Sequence, residues 1–383
     1  MKTFKKVYQE WQNYKAFTKM SHDKTDLIFY SESQSSWVHF KSLINALWKI
    51  NRKKIVYLTS DQNENEFLGS QEGVTPIYIG DGIIRTLLFT FLKSKVMIMT
   101  MPDLQNFHIK RSIHSVNYVY IHHSIVSCHM IYNPGAFDHF DTVFCVGPHH
   151  EKELRAWETK KKLKQKKLIK HGYGRLDQLI KEKQLQNEIP PASSIRILIA
   201  PSWGKYSLLE RHGWHFMKIL LEKGFHITLR PHPQTRHLNP NIFEIISKKL
   251  DKYENFKFEE NMTSTVSFLK ADIMISDWSG AALEFAFSRL KPVVYVDLPK
   301  KINNNQYNIL DIEPLEVFIR EQIGVIIPED KLDNLNTYID IAIQKTNIYS
   351  EQILKCRTKY IYNLEKSGMV GAKEIIQLLH AAG

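Results

Sequence analysis

The sequence predicts an α/β protein with two domains, each built around a parallel β-sheet. The chain has 383 residues, and one hydrophobic core seldom grows beyond about 250 to 300 residues. Apolar residues make up 43% and aromatic residues 11% of it, as in folded globular proteins. Short β-branched runs alternate with helical patterns in both halves, which is typical of parallel strands joined by helices.

The N-terminal domain is predicted over residues 1–185. Its clearest helical patterns are WVHFKSLINALWKI at 37–50 and IIRTLLFTFLKS at 83–94. The predicted strands are LIFY (27–30), KIVYLT (54–59), TPIYI (75–79), KVMIMT (95–100), VNYVYI (116–121) and TVFCVG (142–147). The polar stretch 181–194 follows and is the predicted linker, stiffened by Pro190 and Pro191.

The C-terminal domain is predicted over residues 186–383. From Asp330 onward, apolar residues recur at spacings of three and four, which predicts helices. The predicted strands are IRILIA (195–200), FHITLR (225–230), FKFEE (256–260), IMIS (273–276), VVYVD (293–297) and VIIP (325–328).

The turn between the strand IMIS and the helical stretch AALEFAFS is a candidate phosphate site. Ser279 and Gly280 fall where a helix begins after a buried strand. Free backbone N–H groups and the positive end of the helix dipole favour an anion there. An ordinary turn with a serine cap would give the same local pattern.

A second strand ends in ITLRPHP, where prolines flank His232. Each proline fixes its own φ and restricts the residue before it, so this histidine is held rigidly just past the strand. Carboxyl ends of parallel strands form the ligand-binding edge of an open α/β sheet. We therefore expect Arg230, His232, Ser279 and Gly280 to converge on one anion.

Several segments resemble the catalytic region of the CDP-glycerol glycerophosphotransferases, the teichoic-acid and capsule polymerases. They are APSWGK, LRPHP and SDWSGAALEF, and HGYGRLD is similar to the family's Gly-x-Pro-Arg-x-Asp segment, with Gly174 where proline is usual. The resemblance covers about residues 115–300. It implies a GT-B fold, in which two Rossmann-like domains with parallel sheets face each other across a cleft. It also implies a C-terminal helix that packs back on the first domain.

The resemblance places a catalytic histidine in YVYIHHSIVSCHM, where HHSI stands in place of the family's Trp-His-Gly-Thr. This alignment favours His123, and a shift of one residue favours His122. Alternation along a strand allows only one of them to face the cleft. A neutral imidazole there would take the proton of the acceptor hydroxyl as it attacks the β-phosphorus. His232 would donate a hydrogen bond or proton as CMP leaves.

The resemblance also implies a donor- and phosphate-binding set. Trp203 either stacks on the cytosine or packs against the cleft floor, and Arg175 either binds donor or pairs with Asp177. Glu284 stands where the family commonly has Asp and would bind ribose hydroxyls or the donor headgroup, unless it is a helix-surface residue. The full set is Arg175, Ser202, Trp203, Arg230, Asp277, Ser279, Gly280 and Glu284.

No metal site and no cofactor is predicted, and a CDP-linked polyol is the expected donor substrate. His149, His150 and Glu153 are possible metal ligands, but no spacing enforces a metal geometry. They are read instead as an exposed helix start after Pro148. The three cysteines match no zinc motif and cannot all pair, which favours a reducing cytoplasm.

The net charge of +12 is partly concentrated in lysines at 160–167. A solvated helix face would explain this run, and so would attraction to anionic lipids, a polyanionic product or nucleic acid. No apolar run is long enough for a signal peptide or a membrane span. The expected location is the cytoplasm, peripheral on the inner face of the cell membrane.

The leading functional prediction is a transferase that moves glycerol phosphate, or a similar polyol phosphate, from a CDP-linked donor to a lipid-linked or polymeric glycan. The alternative is a glycosyltransferase or epimerase that uses a UDP-sugar on the same fold. A more remote alternative, a basic nucleic-acid-binding protein, has no recognisable motif to support it. The expected partners are therefore the donor, the glycan or polyol-phosphate acceptor and an anionic membrane surface, without nucleic acid.

Overall fold

The α/β class with two parallel sheets is confirmed by the structure, a computed structural model that describes residues 2–52, 54–106, 109–185, 194–261 and 264–381. Pro190 and Pro191 of the predicted linker lie outside these residues. The strands are β1 Leu27–Ser31, β2 Ile55–Thr59, β3 Val74–Tyr78, β4 Val96–Met99, β5 Asn117–Ile121, β6 Thr142–Cys145, β7 Lys167–Lys170, β8 Arg196–Ile199, β9 His226–Leu229, β10 Phe256–Phe258, β11 Ile273–Ser276, β12 Val293–Asp297 and β13 Gly324–Pro328.

Helices connect the strands and form the C-terminal part of the chain. They are α1 Lys2–Thr18, α2 His22–Thr25, α3 Trp37–Asn51, α4 Gln62–Leu68, α5 Ile83–Thr90, α6 Cys128–Ile131, α7 Pro148–Lys161, α8 Gly174–Leu185, α9 Leu208–His212, α10 His215–Glu222, α11 Pro233–Leu238, α12 Asn241–Leu250, α13 Val266–Lys270, α14 Gly280–Arg289, α15 Leu315–Phe318, α16 Arg320–Ile323, α17 Leu335–Gln344, α18 Thr346–Tyr360 and α19 Ser367–Ala381. Within the ranges described, no helix combines the length and the apolar character needed to cross a membrane.

The chain divides into two compact units. The first contains residues 1–123, 132–177 and 361–383, and the second contains residues 124–131 and 178–360. The chain thus enters the second unit for eight residues directly after His123, and it changes over again after Asp177, upstream of the boundary predicted at 185. Helix α19 belongs to the first unit.

The first unit contains a seven-stranded parallel sheet in the order β3-β2-β1-β4-β5-β6-β7. The order reverses between β1 and β4, which is the switch point where open α/β sheets bind ligands. Helices α3 and α19 pack together over this sheet, and Ala372 and Ile375 are fully buried in its core. A Cβ on Gly368 would lie 2.5 Å from the carbonyl oxygen of Ser42, so only glycine allows this approach.

The carboxylate of Asp177 fixes the start of α19. It accepts hydrogen bonds from the backbone N–H groups of Glu365, at 2.7 Å, and Ser367, at 3.0 Å. Burial raises the pKa of Asp177, although these hydrogen bonds oppose the rise. A carboxylate that accepts from the free N–H groups at a helix start is a sufficient structural role for Asp177.

The solvated-helix interpretation placed the lysine run at 160–167 on one helix face. The structure shows instead that the run extends from the end of a helix to the start of a strand. Helix α7 ends at Lys161, and Lys162 takes the left-handed conformation with φ 53°. The chain then enters β7, an edge strand that the sequence analysis missed. Lys166 is buried, with its Nζ 3.7 Å from a carboxylate oxygen of Glu158, and the exposed Lys167 and Lys170 protect the sheet edge from pairing with another chain.

The second unit contains a six-stranded parallel sheet in the order β10-β9-β8-β11-β12-β13. All six of its strands coincide with the predicted runs to within a few residues. The order reverses between β8 and β11, so the loops after these strands flank the switch point. Burial of β-branched and leucine side chains from both sides explains why these strands read as continuous apolar runs.

An ion-pair cluster joins the amino ends of β8 and β11. The guanidinium of Arg196 donates two hydrogen bonds to Asp272, at 2.9 and 3.0 Å, and Lys291 donates a third at 3.1 Å. Burial alone would raise the pKa of Asp272, but the hydrogen bonds from Arg196 and Lys291 outweigh it and lower the pKa to about 2.

We expect Asp272→Asn to lower the free energy of unfolding at pH 7 by about 2 kcal/mol, because charge-assisted hydrogen bonds are lost. The folded pKa of about 2 lies below the ordinary aspartate pKa of 3.8. The stabilisation is therefore present above pH 3.8 and is lost as the pH falls towards 2. Urea unfolding of wild type and variant at pH 7 and pH 2.5 measures this loss. The exposed Asp251→Asn is the matched control, and a difference of equal size at both pH values would contradict the assignment.

Candidate functional site

The loop after β8 is held against the end of β11 by Asp277. Its carboxylate accepts hydrogen bonds from the backbone N–H and hydroxyl of Ser202, at 2.6 and 3.0 Å, and from the N–H of Leu208, at 2.9 Å. Burial raises the pKa of this carboxyl, and the hydrogen bonds from Ser202 and Leu208 only partly offset the rise. Asp277 and Ser202, both predicted to bind donor, are thus engaged with each other and shape the loop that carries Trp203.

The predicted phosphate seat forms the N-terminus of α14. Ser279 is the N-cap, and its hydroxyl accepts a hydrogen bond from Ala281 N at 3.3 Å. Gly280 is the first helical residue, and a Cβ there would lie 2.4 Å from Ser124 Oγ. The sequence interpretation assigned this glycine to ligand approach, but the nearest atom that requires it belongs to Ser124, in the short segment that the second unit takes from the N-terminal half.

His232 is held in one tautomer by the backbone of α11. It is the N-cap of that helix, and its Nδ1 accepts a hydrogen bond from the Gln234 N–H at 3.1 Å. An N–H can only donate, so in the neutral ring the hydrogen is on Nε2. The half-buried His232 ring lies 5.9 Å from the Trp203 ring. The rigid Pro-His-Pro backbone thus presents a hydrogen-bond donor at the carboxyl edge of the sheet.

Arg230 is engaged inside the second unit. Its buried guanidinium donates to Glu259 at 2.9 Å and to the carbonyl of Ser264 at 2.7 Å, and it lies 5.2 Å from the Phe268 ring. A buried guanidinium needs such a partner to offset its lost hydration. The expected convergence of Arg230 with His232 on one anion therefore lacks support from these contacts.

Lys301, which the sequence analysis missed, lies beside Trp203. Its Nζ is 3.7 Å from the centroid of the Trp203 ring. Burial lowers the pKa of Lys301 to about 8, although the carboxylates of Asp277 and Glu210 favour its charged form. The sequence feature that could have identified Lys301 is its position shortly after β12, a strand adjacent to β11 in the sheet.

Glu284 is buried within α14, with 7% of its surface exposed. The alternative interpretation as a helix-surface residue is therefore wrong. Its neighbours Leu283, Phe285 and Ala286 are buried as well, which explains why this helix reads as almost wholly apolar in sequence.

His123 lies two residues after the end of β5 in the first unit and is half-buried. Its Nδ1 lies 2.9 Å from the carbonyl of Thr100 and 3.1 Å from the hydroxyl of Tyr120. A carbonyl can only accept, so Nδ1 carries the hydrogen and Nε2 is the proton-accepting nitrogen of the neutral ring. The hydroxyl of Tyr132 lies 3.5 Å from Nε2.

The HGYGRLD segment contacts the backbone of His123. The hydroxyl of Tyr173 donates to the carbonyl of His123 at 2.9 Å. Arg175 is buried at the start of α8. Burial, with smaller contributions from His123 and Arg175, lowers the pKa of His39 well below its usual value. The segment therefore positions the end of β5, a role that its sequence motif alone did not reveal.

His122 points into the core of the first unit. Only 1% of its surface is exposed, and its ring centroid lies 3.8 Å from that of His150. Burial lowers the pKa of His122 well below its usual value, with smaller effects of His123, His149 and His171. Of the two adjacent histidines, His123 is the one with an accessible ring.

The prediction that the start of α7 is exposed is wrong. His149, His150 and Glu153 are all buried, at 8%, 0% and 1% exposure. The Nδ1 of His150 accepts a hydrogen bond from the Val146 N–H at 3.3 Å. Pro148 begins the helix as expected, but its first turn faces the core.

We expect Gly280→Ala to lower the free energy of unfolding by about 1 to 3 kcal/mol, because the new methyl group overlaps Ser124 Oγ. In the double variant with Ser124→Ala most of this loss should disappear, since the remaining neighbours lie 3.7 Å away. Urea unfolding of the four proteins of the double-mutant cycle measures the coupling. Additive effects would show that the two residues do not touch.

Comparisons with known proteins agree with this architecture. The sequence model of the CDP-glycerol:poly(glycerophosphate) glycerophosphotransferase family matches residues 15–300. No curated protein matches the chain in sequence.

Among solved structures, the wall teichoic acid polymerase TagF has a TM-score of 0.61 and 13% identity, with 97% of this chain and 94% of that chain covered. A UDP-GlcNAc 2-epimerase from Neisseria meningitidis bound to UDP-GlcNAc has a TM-score of 0.55 and 13% identity, over 93% of this chain and 99% of that one. These structural similarities establish the shared GT-B fold, and the family match covers most of the sequence. The chain therefore belongs to the CDP-glycerol:poly(glycerophosphate) glycerophosphotransferase family of transferases.

Proposed function

We propose that this transferase moves glycerol phosphate, or a similar polyol phosphate, from a CDP-linked donor to a hydroxyl of a lipid-linked or polymeric cell-surface glycan and releases CMP. Family membership supports this reaction class. The observation that carries the chemistry is that the backbone holds two histidines in opposite tautomers. His123 offers a proton-accepting Nε2, and His232 offers an Nε2–H.

Phosphoryl transfer needs one group that accepts a proton and one that donates a hydrogen bond, and these tautomers suit the two roles. His123 is the proposed base, which takes the proton of the acceptor hydroxyl as its oxygen attacks the β-phosphorus of the donor. His232 is the proposed donor, which hydrogen-bonds the phosphate oxygens as the bond to CMP breaks. Neither role requires a metal ligand or a cofactor from the protein.

The proposed seat of the donor phosphates is the N-terminus of α14. Ser279 and Gly280 bring backbone N–H groups and the helix dipole to the switch point of the second sheet. Trp203 is the proposed wall of the donor pocket. Its stacking on cytosine is limited to the ring face that Lys301 does not cover.

We also propose that the enzyme works in the cytoplasm, on the inner face of the membrane that carries its acceptor. Helix α1 supports this location, because Tyr8 and Trp11 are 65% and 37% exposed and Lys15 lies over the Trp11 ring. Phe17 of the same helix is buried, so its aromatic residues are divided between packing and exposure. Exposed aromatic and basic side chains together favour an anionic membrane surface.

We expect the purified protein, given CDP-glycerol and a polyol-phosphate-primed acceptor, to release CMP in proportion to acceptor extension. Chromatography of the nucleotides and mass spectrometry of the acceptor measure both products. CDP-ribitol and UDP-GlcNAc are tested in parallel as alternative donors. Release of UDP from UDP-GlcNAc, with no CMP from either CDP-linked donor, would establish the alternative sugar chemistry instead.

We expect His123→Ala and His232→Ala each to lower kcat by about 100-fold or more, because each removes a positioned proton-transfer group. Affinity for CMP should survive in the His123 variant, since the donor seat lies in the second unit. His139→Ala and His237→Ala, both at exposed histidines, are the controls for the two units. Normal turnover in either folded active-site variant would remove that histidine from the mechanism.

A further inference from the structure

The loop after β12, which carries Lys301, is anchored by hydrogen bonds of Asn303 and Asn304. The backbone N–H groups of Asn303 and Asn304 donate to the carbonyl of Met130, at 3.0 and 3.1 Å. The side chain of Asn304, which is buried, donates to the carbonyl of His129 at 2.8 Å. These hydrogen bonds fix the backbone two and three residues after Lys301, and the contact with the Trp203 ring places its ammonium group.

Lys301 differs from Arg230 in how its charge is engaged. Arg230 is neutralised by Glu259 in a buried ion pair. Lys301 has no ion pair or hydrogen bond with the residues that the structure describes, and its ammonium lies on the face of Trp203 instead. A cation held by an aromatic face keeps its hydrogen-bond donors for a ligand.

We propose that Lys301 is a donor-binding residue, whose ammonium group contacts the diphosphate of the nucleotide-linked substrate beside Trp203 and the N-terminus of α14. This inference rests on the proposed function, because a diphosphate donor is its ligand. A lysine serves as a point charge for phosphate. Nothing in the sequence resemblance assigned a role to this residue.

The partial burial of Lys301 gives the contact a pH dependence. The charged groups that act on its ammonium are Asp277 and Glu210, and both favour the protonated form, whereas burial lowers the pKa to about 8. Lys301 is therefore cationic below pH 8 and loses its charge as the pH rises above it. Affinity for a diphosphate should fall over that range.

The test is calorimetric binding of CDP-glycerol and of cytidine to wild type, Lys301→Met, Lys301→Arg and Lys300→Met. Lys300 is the adjacent, exposed lysine, so its variant makes the same change in net charge. We expect Lys301→Met to weaken CDP-glycerol binding by about 10-fold or more, with cytidine binding unchanged. Lys301→Arg should stay within a few fold of wild type, and the decline in affinity between pH 7 and pH 9 should be smaller in Lys301→Met.

The outcomes separate this proposal from the proposed function. If wild type binds CDP-glycerol and folded Lys301→Met binds it equally well, the role of Lys301 is wrong and the function stands. If wild type binds UDP-GlcNAc but no CDP-linked donor, and Lys301→Met loses that binding, the donor assignment fails and the phosphate role of Lys301 stands. Equal losses in Lys301→Met and Lys300→Met would reduce the effect to net charge and overturn the proposal.

Discussion

The buried carboxylate of Asp277 is the interaction on which the functional edge of the second unit depends. Three donors from the loop after β8 converge on it, so this loop and the end of β11 are fixed against each other at the switch point. Trp203 takes its position from that loop, and Lys301 lies on Trp203. The carboxylate of Asp277, which the sequence analysis predicted to bind donor, is thus occupied by hydrogen bonds within the second unit.

Much of the fold was predictable because it depends on local patterns. The strands of both sheets are short β-branched runs, and their apolar continuity follows from burial on both faces. The strand β7 lacks that signal, because it begins and ends with the exposed Lys167 and Lys170, and it was therefore missed within a lysine run. The helix starts at Pro148 and Gly280 were also recognisable, since proline and small residues at these positions have direct conformational reasons.

The site was predictable only in part, because side-chain partners come from distant parts of the sequence. The pattern LRPHP places Arg230 and His232 at one strand end, but it carries no record of Glu259, which binds the arginine. Likewise, two adjacent histidines are equivalent in sequence until burial separates His122 from His123. Their tautomers depend on a carbonyl from another strand or an N–H from a helix turn, and so follow from three-dimensional structure.

The assignment of α19 to the first unit has a consequence for the order of events during synthesis. The core of that unit is incomplete without Ala372 and Ile375, and the buried Asp177 lacks its donors until residues 365–367 arrive. Translation of the intervening second unit takes roughly 10 to 40 s at bacterial to eukaryotic elongation rates. During this time the apolar surface that α19 covers in the first unit has no partner. The unit whose synthesis begins first is therefore completed last.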